Sequence, residues 1–142
     1  MAMTKKQKTT LLGNVSLFSG VGPKALSEIA DLMTEIEFAP GRYIVRQGQV
    51  GTGFYLIASG QARVTRGNAV IASLGPGDFF GELSVLDQTP RMAHVIAEQP
   101  TTCLALASWD FAKLLEKNPK LTLALLRVVA GRLRSVSEQH TH

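Results

Sequence analysis

The stretch Gly75–Val95, GPGDFFGELSVLDQTPRMAHV, decides how the rest of the chain is read. It opens with glycines on either side of Pro76 and continues to Asp78, which is turn chemistry. Two phenylalanines and Gly81-Glu82 follow, then a short apolar run from Leu83 to Leu86. A polar loop, Asp87 to Pro90, delivers Arg91, and an alternating strand begins at Ala93. This order predicts a turn, a short helix, and a loop that returns an arginine to the start of that helix. A helix N-terminus attracts an anion, because its free N–H groups and its macrodipole point the same way. An arginine beside it adds a planar fork of donors suited to phosphate oxygens. Gly81 lets backbone approach a ligand with no Cβ in the way. Glu82 either complements the helix dipole or, being acceptor-only when ionised, takes donors such as sugar hydroxyls. Phosphate together with hydroxyls is the chemistry of a nucleotide.

Phe80-Gly81-Glu82-Leu83-Ser84-Val85-Leu86, five residues, then Arg91-Met92-Ala93-His94-Val95 resembles the phosphate-binding cassette of cyclic nucleotide-binding domains. That family includes bacterial catabolite activators, regulatory subunits of protein kinase A and cyclic-nucleotide-gated channels. The resemblance extends from about Leu17 to Glu138. It implies that Arg91 binds a cyclic phosphate, with Gly81, Ser84 and Met92 at the same phosphate, and that Glu82, with Gly81, binds the ribose 2′-hydroxyl. Ser84 reads equally well as a capping or packing residue. Met92 stands where the family often has Ser, Thr or Ala; a hydroxyl there favours cGMP, so its absence points to cAMP as the ligand.

Composition sets the frame. A chain of 142 residues, 45% hydrophobic and 18% charged, is an ordinary globular protein of one domain. No apolar run approaches the roughly 20 residues of a membrane span. The first ten residues, MAMTKKQKTT, lack the apolar core of a secretory signal and read as a flexible basic tail. The single cysteine, Cys103, excludes an internal disulfide; it fits a reducing, cytoplasmic setting and reads as a small buried residue. The net charge of +4 owes much to Lys5, Lys6 and Lys8; without them twelve basic residues face eleven acidic ones. A basic nucleic-acid face is therefore not expected.

Residues 11–142 are expected to form a single domain, α+β in class: helices over 11–35, a jelly-roll-like antiparallel β-roll of about eight strands over 36–107, and C-terminal helices over 108–139. Pro23 is placed for the first turn of a helix over Lys24 to Met33, with Leu26, Ile29, Ala30 and Met33 recurring at helical spacing. Strands are read at Glu35–Phe38, Tyr43–Arg46, Gly53–Ser59, Gln61–Arg66, Ala69–Leu74, Arg91–Glu98 and Thr101–Ala107, punctuated by glycine turns. Pro40-Gly41 and Gly60 match glycines of the family's β-roll. The resemblance makes Val64 and Ile71 candidates for walls of the sugar and base pocket, with plain core aliphatics the equal alternative, and Leu83 joins them as a pocket candidate. Ser108-Trp109-Asp110 opens a helix with Ser108 as its cap, Asn118-Pro119 breaks it, and a long helix runs from Lys120 to about Gln139.

That helix carries Leu121, Leu125, Val128, Val129, Leu133 and Val136, a stripe wider than one packing partner needs. Part of it is expected to face a second copy of the chain, as in the catabolite activators. The resemblance sets Arg132 where an arginine pairs with the cassette glutamate, although a solvated helix arginine is the other reading. It sets Val136 and Ser137 where the adenine is contacted, Val136 replacing a threonine. Gly131 in mid-helix costs roughly 1 kcal/mol relative to alanine. The chain is read to stop short of a winged helix-turn-helix, so direct DNA binding is not expected. No nucleophile, zinc or redox motif survives inspection. A cupin, the rival small β-roll, needs clustered histidines on strands, and the only His-x-His is at the C-terminal end. The expected function is a cyclic nucleotide sensor, not an enzyme, that couples binding to its last helix. The alternatives are a ligand-free interaction or dimerisation module, or the regulatory part of a longer channel or enzyme.

Overall fold

Two segments, GFYLIAS at Gly53–Ser59 and TTCLALA at Thr101–Ala107, show no polar–apolar alternation, and both are strands covered on each face. The computed structural model describes residues 2–49, 53–81, 91 and 93–140, the last six by their backbone alone. In chain order the elements are α1 (Lys5–Gly13), a 3-10 turn (Ser16–Phe18), α2 (Pro23–Leu32), β1 (Thr34–Phe38), β2 (Tyr43–Val45), β3 (Gly53–Ser59), β4 (Ala62–Arg66), β5 (Ala69–Leu74), β6 (Phe79–Phe80), β7 (His94–Ala97), β8 (Thr101–Ala107), α3 (Ser108–Lys117) and α4 (Pro119–His140). The strands form two antiparallel sheets, ordered β1-β8-β3-β6 and β2-β7-β4-β5. This is the expected β-roll.

The central strands separate two cores. On the outer face of the first sheet, Phe54 and Leu56 of β3 and Leu104 and Leu106 of β8 meet Leu12, Phe18, Ile29, Phe111, Leu121 and Leu125 of the helical layer. Between the sheets, Ile57 and Cys103 meet Ile44, Ala62, Phe80, Val95 and Ala97. Phe54 is the hub of the first core: its ring lies 6.3 Å from Phe18, 5.5 Å from Phe79 and 4.8 Å from Phe111, centroid to centroid. Strand β6, which two residues cannot announce by periodicity, puts Phe79 against that core and Phe80 into the other. Phe80 stacks on Tyr55 at 5.3 Å.

Three expectations are corrected. The basic tail is not a tail beyond Thr4: Lys5 begins α1, closed by a reciprocal capping box between Thr4 and Gln7. Leu12 anchors that helix, and Lys5 pairs with Asp31 of α2 at 3.0 Å. Second, Ser108 lies inside α3; the cap position is Ala107 and makes no side-chain hydrogen bond. Third, β7 spans only His94–Ala97, because Arg91 is bonded to the β2–β3 loop rather than to a neighbouring strand. The Asn118-Pro119 break is as expected, with Asn118 Nδ2 donating to the Leu114 carbonyl at 2.8 Å. No helix among the described residues is long and apolar enough to cross a membrane.

Candidate functional site

Where β6 ends, the backbone turns through Gly81 at φ +94°, a conformation that L side chains rarely adopt. A Cβ there would stand 2.6 Å from Arg91 Nη1 and 2.6 Å from the Gly53 carbonyl oxygen. Gly81, Gly53 and Arg91 thus form one tight cluster where β3 begins and β6 ends. The short helix expected after Gly81, with Glu82, Leu83 and Ser84, lies outside the described residues, as does Met92.

Arg91 is the outstanding side chain of this cluster. It is 7% exposed, and Nη2 donates to the Gly53 carbonyl at 2.7 Å. Its Nε is buried and makes no hydrogen bond. Among the described residues no carboxylate pairs with it. Burial pulls its pKa below the ordinary arginine value, and the nearby Tyr55 phenol opposes that. A buried cation with an unused donor is costly unless an anion reaches it. Its main chain is fixed as well: the Arg91 N–H donates to Gln49 O at 2.7 Å, and Arg91 O accepts from the Gly48 N–H at 2.8 Å.

The other candidates divide by position. Val64 is half-buried against the inter-sheet core. Ile71 is 49% exposed at an irregularity in the β4–β5 register. Arg132 projects from α4 to within 5.5 Å of the centre of the Phe79 ring, so the last helix reaches the strand that leads to Gly81. Burial lowers the Arg132 pKa, and Asp78 opposes that shift. Val136 and Ser137 lie on the last turns of α4, whose side chains are outside the described residues. Sequence reasoning missed the Gly53 carbonyl, which accepts from Arg91, and the Tyr55 phenol near it. Backbone acceptors leave no mark in a sequence, and Tyr55 sits in a run that reads only as core. Among the described residues no group of His, Cys, Asp and Glu could hold a metal ion.

A profile described as Cyclic nucleotide-binding domain matches residues 35–118, more than half of the chain. The chain is 34% identical over 123 residues to the Cyclic AMP receptor protein of Thermus thermophilus, covering 83% of this chain and 57% of that protein. It is 37% identical over 116 residues to the cGMP-dependent protein kinase egl-4 of Caenorhabditis elegans, covering 77% of this chain and 15% of the kinase. The regulatory domain of Toxoplasma gondii PKA, solved with cAMP, superposes with a TM-score of 0.79 at 26% identity, over 89% of this chain and 50% of that one. The chain therefore spans little more than half of the receptor's length and a small part of the kinase's.

Proposed function

Because the chain belongs to the cyclic nucleotide-binding domain family, we propose that it binds a cyclic nucleotide, cAMP in preference to cGMP, and passes that event to its last helix. The observation that carries the reading is the buried Arg91 guanidinium, bonded to the Gly53 carbonyl, with its Nε left over beside a glycine that leaves no room for a side chain. A cyclic phosphodiester is an anion with two free oxygens, which suits a planar fork of donors in a desolvated place. In this reading Arg91 takes the phosphate with Gly81, Ser84 and Met92, and Glu82 with Gly81 takes the ribose 2′-hydroxyl. Val64, Ile71, Leu83, Arg132, Val136 and Ser137 surround the base. Met92 offers guanine no hydroxyl, which favours cAMP.

Phe79 is the connection to the output. It packs on Phe54 and lies under Arg132, so a shift of β6 with nucleotide reaches α4 directly. Binding then changes the balance between two positions of α4. The same helix presents Leu126 and Leu133, 59% and 68% exposed and seven residues apart, away from the buried Leu121 and Leu125. That second apolar line favours a homodimer through α4, and sedimentation with and without cAMP tests it.

Calorimetric titration of the purified chain with cAMP and then cGMP tests the main reading. The expected result is about one cAMP per chain with a Kd of roughly micromolar or tighter, and weaker cGMP. Arg91→Ala should lose about 2–5 kcal/mol of binding, roughly thirtyfold to several thousandfold in affinity. No binding of either nucleotide to the parent, or an Arg91→Ala variant within about threefold of it, overturns the assignment.

A further inference from the structure

The loop that clamps the Arg91 main chain is itself tied down, and not by apolar packing. The N–H of Gln47 donates to His94 Nδ1 at 3.0 Å. The Gln47 side-chain oxygen accepts from the Gly67 N–H, in the β4–β5 turn, at 3.1 Å. The next two residues hold Arg91, Gly48 by donating to its carbonyl and Gln49 by accepting from its N–H. Residues 47–49 therefore form a strap across three places: the start of β7, the β4–β5 turn and the phosphate-binding candidate.

We propose that His94 is a positioning residue for Arg91, and that its neutral imidazole, by accepting from Gln47, keeps the strap closed and makes nucleotide binding sensitive to acid. This rests on the cyclic nucleotide reading above. An imidazole accepts through Nδ1 only when that nitrogen carries no proton; the imidazolium has two donors and no acceptor. Protonation therefore sets donor against donor at the Gln47 N–H. Histidine is the one side chain whose ordinary titration falls between about pH 5 and 8. Among the described residues the surroundings supply no counter-charge for the imidazolium. Tyr43 of β2 meets the His94 ring edge to face at 5.1 Å, and Arg46 lies over the other ring at 4.1 Å. Thr65 stands opposite on β4, which also carries Arg63 and Arg66. Neither β2, β4, β5 and β7 nor the described loop residues 46–49 and 67–68 contain a carboxylate. The sign follows: the strap is whole while the imidazole is neutral and opens once it is protonated, so affinity falls as pH falls. The cyclic phosphodiester keeps its charge throughout, and so does Arg91.

The experiment measures cAMP affinity of the full chain at pH 7.5 and 5.5 for the parent, His94→Asn and His94→Phe. Asparagine keeps an acceptor near the Nδ1 position and cannot be protonated; phenylalanine keeps the ring against Tyr43 and removes the acceptor. The parent is expected to weaken roughly three- to tenfold at the lower pH, the loss of one hydrogen bond. His94→Asn should bind as the parent does at pH 7.5 and stay level, and His94→Phe should be weakened at both. A parent insensitive to pH, or His94→Asn falling as steeply as the parent, overturns the proposal. A second readout needs no nucleotide: the Gln47 amide resonance should move with the His94 ring signals as pH is lowered. If it does while no variant binds cAMP at either pH, the strap stands and the cyclic nucleotide reading falls. If the amide stays fixed while His94 titrates, the strap falls.

Discussion

At Gly81 one missing methyl group decides whether an arginine can stay where it is. The positive φ already disfavours any other residue, and the added Cβ would press on a backbone carbonyl, which has little freedom to move, as well as on the guanidinium. Gly81→Ala is therefore expected to lose about 1–3 kcal/mol of stability. Denaturant unfolding measures it; a midpoint equal to the parent's would mean that Gly53 and Arg91 relax at no cost. The same residue marks how far single side chains were legible in advance. Arg91 and Gly81 stood out because their types and spacing belong to anion chemistry. What seats Arg91, the Gly53 carbonyl and the Gln47–Gln49 strap, is main chain. Main-chain acceptors are common to every residue, so nothing in the letters distinguishes them.

Helix α4 has two apolar lines with different duties. Leu125, 2% exposed, belongs to the core under β3 and β8, whereas Leu126 is 59% exposed. Leu125→Ala should cost about 2–5 kcal/mol by leaving a cavity. Leu126→Glu should leave the folding of a single copy within about 0.5 kcal/mol while abolishing the self-association proposed through α4. Thermal unfolding and sedimentation separate the two; a Leu126→Glu variant that sediments like the parent removes α4 as a dimer face. Helices of this length declare themselves through their period, and β3 and β8 through apolar runs bounded by turns. Strand β6 did not, since two residues have no period, and it exists because Tyr55 and Leu56 of β3 offer an unfilled edge. Helix α1 was hidden for another reason. Its lysines look like a solvated tail, and the Thr4–Gln7 capping box that starts it lies among them.

Across the whole molecule, Cys103 reports on the inter-sheet core from β8, the strand that lies between the two cores. Burial pushes its thiol pKa up to about 12, from an ordinary value of 9.0. The folded state thus holds this proton more tightly than the unfolded state. Its contribution is complete below about pH 9 and is lost as pH rises toward 12, at about 1.4 kcal/mol per pH unit. Alkaline denaturation should be less steep in Cys103→Ala, and the parent thiol should react with an alkylating reagent only as fast as the protein unfolds. An equal slope in the variant would assign the alkaline loss to other groups. A different consequence follows from Phe79 and Phe80, consecutive residues that serve opposite sides of one partition. Chain length is free to vary where a turn merely reverses direction, but between Gly77 and Gly81 the chain is counted. Inserting or deleting one residue there would exchange the two rings, so this short segment is where indels should be tolerated least.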